Sequence, residues 1–262
     1  MSDVTDLGAL AAADALACAR SLVRDAVSVV ALTGAGVSAE SGVPTFRGSG
    51  GLWRQYRAED LATPQAFARD PRLVWEWYGW RRDLVTRCVP NAAHRALARA
   101  SRDNETVRVI TQNVDGLHAA AGGSPPLELH GSLFRMRCTR CGTRREDRRP
   151  IDASSHETLP RCERCASLMR PDIVWFGEPL DPDVLGEACR LASAADVCLV
   201  IGTSAVVYPA AGLAELTTRA GGTVIEVNVA TTPLTDIATI ALRGPAAVLV
   251  PQLLGDDHQP AP

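Results

Sequence analysis

The sequence predicts an α/β fold, a doubly wound parallel sheet with a smaller inserted lobe. Three observations carry that prediction. Short apolar, β-branched runs recur along the chain at helix-length or longer intervals, the pattern of strands buried on both faces. Two segments, 46 to about 90 and 133 to about 171, interrupt the rhythm. The first of them is polar, aromatic and helical in pattern; the second is arginine-rich, bears cysteines and lacks any long apolar run.

Residues 9–25 are alanine-rich with helical periodicity and lead into a first strand at 27–32. Further strands are predicted at 107–110, 197–201, 223–227 and 246–250. The strand-helix alternation places 1–45, 91–132 and 172–262 in one sheet domain, with 46–90 and 133–171 folding together as the small lobe. Residues 252–262 read as a frayed tail. The chain shows no repeat at the periods of solenoids or propellers.

A chain of 262 residues with 46% hydrophobic content can bury a large core, here divided between two unequal lobes. The net charge of −3 gives no general attraction for nucleic acid or for an anionic membrane. All 27 basic residues are arginine. Their one cluster, Arg144, Arg145, Arg148 and Arg149, is interrupted by Glu146 and Asp147 and reads as a solvated face, so neither stable nucleic-acid binding nor a membrane partner is expected. Membrane spans need roughly 18 consecutive apolar residues, which the chain lacks. Its first residues are acidic where a secretion signal would be basic, and a cytoplasmic location is expected.

The run 27–32 opens onto Gly34-Ala35-Gly36, a turn suited to bringing backbone close to a pyrophosphate. Gly34-x-Gly36-x-x-Ala39 fits a relaxed dinucleotide fingerprint. The acidic residue that such a site places at the end of a second strand is missing, since no strand precedes Glu59 and Asp60. The turn therefore reads as a nucleotide site not built for hydride transfer.

Cys138-x-x-Cys141 and Cys162-x-x-Cys165, with 20 residues between the pairs, have the spacing of a four-thiolate zinc ribbon. Four thiolates close the coordination shell, so one structural Zn²⁺ is expected. Cys18, Cys88, Cys189 and Cys198 lie in apolar or helical surroundings and read as small core residues.

Thr111 to His118 follows a strand, where open α/β sheets line their ligand crevice. Gln112, Asn113 and Asp115 supply an amide pair and a carboxylate suited to a carboxamide and ribose hydroxyls; the alternative is an Asn/Asp/Gly turn bonded to its own backbone. His130, at the junction of the lobes, has the pKa of a general base near neutrality. His118 competes for that role, while His94 reads as a packing or capping residue.

Taken in order, Gly34 to Ser38 with Pro44-Thr45-Phe46-Arg47, Thr111-Gln112-Asn113-Val114-Asp115, His130-Gly131, the cysteine tetrad and Gly202-Thr203-Ser204 resemble the motif set of the sirtuins, NAD-dependent protein lysine deacylases. The resemblance extends over about 27–251. It implies a Rossmann-type NAD domain, a small zinc lobe, and an acyl-lysine peptide bound between them. It also implies transfer of the acyl group to the ribose as nicotinamide leaves, giving free lysine and O-acyl-ADP-ribose. Residue by residue, it makes His130 the base and assigns the cofactor to Gly34, Ala35, Gly36, Thr45, Phe46, Arg47 and Trp53. Gln112, Asn113 and Asp115 would hold the nicotinamide and its ribose; Gly202, Thr203, Ser204 and Asn228 would take the phosphate and adenosine side. Val174, Trp175 and Phe176 resemble the segment that pairs with the substrate peptide.

Tyr78 and Arg81, i and i+3 on an aromatic-rich helix, share a face and can grip a carboxylate; a packing stripe with a solvated arginine is the alternative. Tyr-x-x-Arg there, and Asp60-Leu61-Ala62-Thr63-Pro64 with its small Ala62, resemble the class III sirtuins. That resemblance implies succinyl- and malonyl-lysine as preferred substrates over acetyl-lysine. Ala230 stands where many relatives carry an acid, and Ala246 where some place a cysteine beside the adenine. The competing readings are plain deacetylation, mono-ADP-ribosyl transfer on the same scaffold, and a non-catalytic NAD- or zinc-dependent interaction protein.

Overall fold

The computed structural model describes residues 3–44, 52–53, 56–103 and 106–255. In chain order the strands are β1 (Val29–Thr33), β2 (Leu52–Trp53), β3 (Tyr56–Arg57), β4 (Val107–Thr111), β5 (Leu127–Glu128), β6 (Gly131–Cys138), β7 (Arg144–Glu146), β8 (Met169–Ile173), β9 (Val197–Ile201), β10 (Thr223–Asn228) and β11 (Ile240–Arg243). The helices are α1 (Asp3–Asp25), α2 (Ala58–Leu61), α3 (Pro64–Arg69), α4 (Pro71–Thr86), α5 (Ala92–Asp103), α6 (Leu117–Ala120), α7 (Pro182–Ala194), α8 (Leu213–Arg219) and α9 (Ala246–Leu253). Among the described residues, no helix is long and apolar enough to cross a membrane.

Six strands form a parallel sheet in the order β11-β10-β9-β1-β4-β5. Because successive strand residues face opposite sides, the sheet builds two cores. Val29, Ala31, Val109, Leu199 and Val227 pack against Ala19 of α1, Leu97 of α5 and Val250 of α9. Val30, Leu32, Ile110, Cys198 and Val200 pack against Ala188 of α7 and Leu213 of α8 on the other face. The strand order reverses direction between β1 and β9. A doubly wound sheet opens its ligand crevice at that point, beyond the carboxyl ends of the strands.

A third core joins the two inserted segments. Leu61, Phe67, Val74, Trp75 and Tyr78 pack on Leu133, Met136, Met169 and Trp175, around the three-stranded sheet β7-β6-β8. Two polar ties fix α4 to it. Trp75 Nε1 donates to the Met169 carbonyl at 3.0 Å. Arg82, which is buried, donates to the carbonyls of Leu133 at 2.9 Å, Arg149 at 2.9 Å, and Asp147.

Two strand predictions need correction. Segment 246–250 is not a strand but the start of α9: Ala246, Val250 and Leu253 are buried while Val248 is 52% exposed, the spacing of a helix face. The last strand is instead β11, whose only buried residue is Leu242; its alternation was too short to read. The first strand starts at Val29, because the N–H groups of Val27 and Ser28 both donate to Asp196 Oδ2 at 2.9 Å instead of entering the ladder.

Candidate active site

The loops after β1 and β9 meet at the switch point. Gly34 donates its N–H to the Ile201 carbonyl at 3.0 Å, and Gly36 donates to that of Gly202 at 2.7 Å. A Cβ on Gly34 would lie 2.7 Å from Thr203 Cα, and one on Gly36 would lie 2.7 Å from Gly202 Cα. The glycines of the turn are thus required first by the neighbouring loop. Ala35 opens a 3-10 turn, Ala35–Ser41. Thr45, Phe46 and Arg47, predicted for the cofactor, lie outside the described residues, as does the side chain of Trp53.

Gln112, Asn113 and Asp115 follow β4 along the same crevice. Gln112 Nε2 donates to Thr203 Oγ1 at 3.1 Å, and Asn113 Nδ2 to the Gly34 carbonyl at 3.0 Å. The tip of β4 is therefore bound to both loops at the switch point. The Asp115 carboxylate accepts from Ser38 Oγ at 2.8 Å and from the Leu117 N–H at 2.9 Å. The latter is the local turn bond offered as the alternative reading of this segment, so Asp115 makes both kinds of contact. Burial raises its pKa, opposed by these hydrogen bonds.

Ser38, fully buried, was not singled out from sequence. It connects Asp115 to Asn113 Nδ2 at 3.2 Å and to His94 Nε2 at 3.3 Å. His94 Nδ1 receives the Asn91 N–H at 3.3 Å. Its proton must then sit on Nε2 and point to Ser38, which passes its own to Asp115. The available signal was its place at the end of the Gly34–Ser38 motif. His118 also lies inside, 2.9 Å from Thr33 Oγ1 with its ring 4.8 Å from that of His94. Burial lowers the pKa of His94 to about 4 and that of His118 to about 3. His118, buried among them, is a core residue.

His130 is half-buried, and burial lowers its pKa. Its Nδ1 lies 2.9 Å from the Gln112 carbonyl oxygen, which can only accept. The proton is thereby fixed on Nδ1, and Nε2 keeps its lone pair. Gly131 holds the turn that presents the ring: its φ is +80°, and a Cβ there would come 2.0 Å from the Asp172 carbonyl oxygen.

Three consecutive residues draw the predicted substrate elements together. Val174 donates its N–H to the His130 carbonyl at 3.0 Å, Trp175 Nε1 donates to Tyr78 Oη at 2.8 Å, and Phe176 N–H donates to the Ala62 carbonyl at 2.9 Å. The Trp175 N–H is also taken, by Glu178 Oε2 at 2.9 Å. Ala62 and Trp175 are buried, Val174 is half-buried, and Phe176 is 53% exposed. Tyr78 is buried, which raises its pKa and keeps it a neutral phenol. The half-buried Arg81 has its guanidinium carbon 5.0 Å from the Trp77 ring centroid and 5.6 Å from that of Tyr78. Burial lowers its pKa, while the negative charge of Asp115 acts to raise it.

At the end of β10, Asn228 Nδ2 donates to the Thr203 carbonyl at 2.7 Å, and the Asn228 carbonyl accepts from the Gly244 N–H at 3.1 Å. This brings the buried Ala246 and the start of α9 alongside. Ser204 is half-buried in the loop after β9, and Ala230 is exposed.

The four cysteines cluster with all sulfurs within 4.8 Å of one another. Cys138 lies 3.4 Å from Cys165, and Cys141 lies 3.6 Å from Cys162 and 3.7 Å from Cys165. Zinc-sulfur bonds of about 2.3 Å give a tetrahedral edge of about 3.8 Å, so the tetrad fits one Zn²⁺. The N–H groups of Arg140 and Cys141 both point at Cys138 Sγ from 3.4 Å, as a knuckle around a thiolate requires.

A doubly wound sheet with a four-thiolate ribbon inserted beside its switch point defines the class of protein. The Sir2 family profile matches residues 34–209, and the chain belongs to that family. It is 52% identical over 239 residues to an NAD-dependent protein deacylase of Thermococcus kodakarensis, covering 90% of this chain and 93% of the relative. Among solved structures, a Sir2 homologue in complex with NAD superimposes with a TM-score of 0.85 at 49% identity, over 90% of this chain and 91% of that one. A Sir2 complex with a p53 peptide and NAD⁺ superimposes with a TM-score of 0.80 at 35% identity, over 90% and 95% of the two chains.

Proposed function

We propose that this protein is an NAD-dependent protein lysine deacylase that removes succinyl and malonyl groups in preference to acetyl. Membership of the Sir2 family, with relatives named as deacylases at 52% identity, supports the reaction class. The observation that carries the catalytic reading is the bond from His130 Nδ1 to the Gln112 carbonyl, because it leaves Nε2 as an acceptor at the meeting point of crevice and substrate segment.

The donor set of the crevice fits a nicotinamide dinucleotide. Gln112, Asn113, Thr203, Ser204 and Asn228 offer amides and hydroxyls, and Asp115 one carboxylate, which suits a carboxamide and sugar hydroxyls. NAD, when bound, supplies the ribose carbon that takes up the acyl oxygen as nicotinamide leaves. His130 Nε2 then accepts the proton of a ribose hydroxyl. Asn113, anchored through Nδ2, retains its Oδ1 to orient that sugar. Ala35 with Thr45, Phe46, Arg47 and Trp53 would cover the cofactor, and Ala246 would stand near the adenine.

The N–H groups of Val174, Trp175 and Phe176 are all engaged, so a peptide laid along this segment must donate to it. Tyr78 and Arg81 would close the acyl channel, with Ala62 leaving room for a longer acyl chain. A guanidinium and a neutral phenol are donors matched to a terminal carboxylate. In this reading the small lobe comprises 46–90 and 133–171, held by one structural Zn²⁺, and the protein works in the cytoplasm, where thiolates stay reduced.

Mass spectrometry of NAD incubated with matched succinyl- and acetyl-lysine peptides tests the proposal. O-succinyl-ADP-ribose, formed with a higher kcat/KM than the acetyl product, is expected. A higher kcat/KM for acetyl-lysine would overturn the acyl preference, and absence of any O-acyl-ADP-ribose would overturn the reaction.

A further inference from the structure

Tryptophan Nε1 carries a hydrogen and can only donate. Its 2.8 Å contact with Tyr78 Oη therefore makes the phenol oxygen the acceptor, and the phenol hydrogen must point away from Trp175. Tyr78 is buried and cannot turn to water for another partner. The indole in turn has little freedom. The Arg170 guanidinium carbon lies 3.3 Å from the centroid of its ring, and the Phe67 ring packs 5.4 Å away. Arg170 is itself held by both Glu178 oxygens, at 2.6 and 2.8 Å, and by the Ile173 carbonyl at 2.9 Å. Glu178 completes the ring of contacts by accepting the Trp175 backbone N–H.

From this geometry we infer that Trp175 is a positioning residue for acyl specificity: by occupying a lone pair of Tyr78, it presents the phenol as a hydrogen-bond donor and so favours acyl groups that end in a carboxylate. The inference rests on the proposed role of Tyr78 and Arg81. A carboxylate only accepts, and a phenol donor oriented beforehand beside the Arg81 guanidinium serves it without rearrangement; an acetyl methyl uses neither. Without the indole N–H, the phenol hydrogen is free to turn toward other acceptors, and the donor is no longer fixed before the substrate arrives. Trp175 acts through Tyr78, and its side chain need not touch the substrate.

The test compares wild type with Trp175→Phe on succinyl- and acetyl-lysine peptides of one sequence, with zinc content and melting temperature measured alongside. The ratio of kcat/KM values, succinyl over acetyl, is expected to fall about five- to tenfold, the size of one lost hydrogen bond. An unchanged ratio, both activities falling together, would mean a structural role only and overturn the inference. If wild type itself prefers acetyl-lysine, the carboxylate reading fails and this inference with it, which is a distinct result. Should Trp175→Phe not fold, benzothienylalanine at position 175 keeps the bicyclic ring and removes only the donor. The same fall in ratio is then expected, and its absence is equally decisive.

Discussion

Gly36 and Gly202 are in backbone contact across the switch point: the N–H of one donates to the carbonyl of the other at 2.7 Å, and a Cβ on Gly36 would lie 2.8 Å from that carbonyl oxygen. Neither loop can retreat without breaking a bond, since Gly34 is joined to Ile201 in the same way. Gly36→Ala should cost about 1–3 kcal/mol of stability, as overpacking does, and should weaken NAD binding by separating the two loops. Thermal melts and titration calorimetry check both effects. Gly186→Ala, in α7 with nothing within 4 Å of its Cβ position, is the control and should be neutral or slightly stabilising. Equal behaviour of the two variants would refute the packing argument.

His130→Ala should lose about 10²–10⁴-fold in kcat/KM, with zinc content and melting temperature retained, because it removes a proton acceptor and no packing anchor. Burial holds the His130 pKa below its ordinary 6.5, so the ring is neutral throughout the neutral range. The wild-type rate should therefore fall only on the acid side, with its midpoint below that value. A midpoint above 7 would assign the base elsewhere.

The parts of this site that were legible in the sequence are those carried by local spacing. The cysteine tetrad is two short repeats, and β9 is buried along its whole length, so both could be read without knowing the fold. Segment 246–250 could not: five apolar residues suit strand and helix equally, and only the exposure of Val248 between buried Ala246 and Val250, with the burial of Leu253 beyond, separates them. Ser38 was hidden for a different reason. Its partners His94, Asn113 and Asp115 lie 56, 75 and 77 residues away, and a lone hydroxyl has no periodicity. The Trp175–Tyr78 bond spans 97 residues. Each residue stands out in the sequence, but the polarity that one imposes on the other belongs to the tertiary structure.

Arg81→Met should lower kcat/KM for succinyl-lysine by about 10–100-fold, the value of a charge-assisted contact of roughly 1.5–3 kcal/mol. Acetyl-lysine, with no carboxylate to hold, should be affected far less. The side chain is half-buried against Trp77 and Tyr78, and methionine retains most of that packing. Parallel progress curves on the two peptides suffice. Unchanged succinyl turnover would show that Arg81 is a packing residue.

Removing the metal should unfold the ribbon and loosen the substrate side. Cys138 and Cys162 belong to the same core as Trp75, Tyr78 and Trp175, so loss of the ion reaches Tyr78 through packing. Cys141→Ser should reduce bound zinc, measured by elemental analysis, and lower the melting temperature. No activity should survive complete chelation. Recovery on adding Zn²⁺ would separate a structural metal from irreversible damage; full activity of the zinc-free protein would contradict this role.

The buried His94 and His118 should make the fold acid-sensitive. Their pKa values of about 4 and about 3 lie below the unfolded value of 6.5. Between those limits the unfolded chain binds more protons, so stability is complete above pH 6.5 and falls as the pH drops, by about 1.4 kcal/mol per unit for each histidine. His130 contributes with the same sign. Asp147, whose pKa Arg149 lowers to about 2, loses its contribution only below the ordinary carboxylate value of 3.8 and adds nothing to a decline measured above pH 5. Urea denaturation from pH 8 to pH 5, with zinc release followed in parallel, should show the decline beginning near 6.5 before the metal leaves. His118→Gln removes one titrating ring and should flatten the curve. A stability constant down to pH 5 would contradict this account, in which a proton added to His94 would sit on Nδ1 and face the Asn91 N–H that donates there.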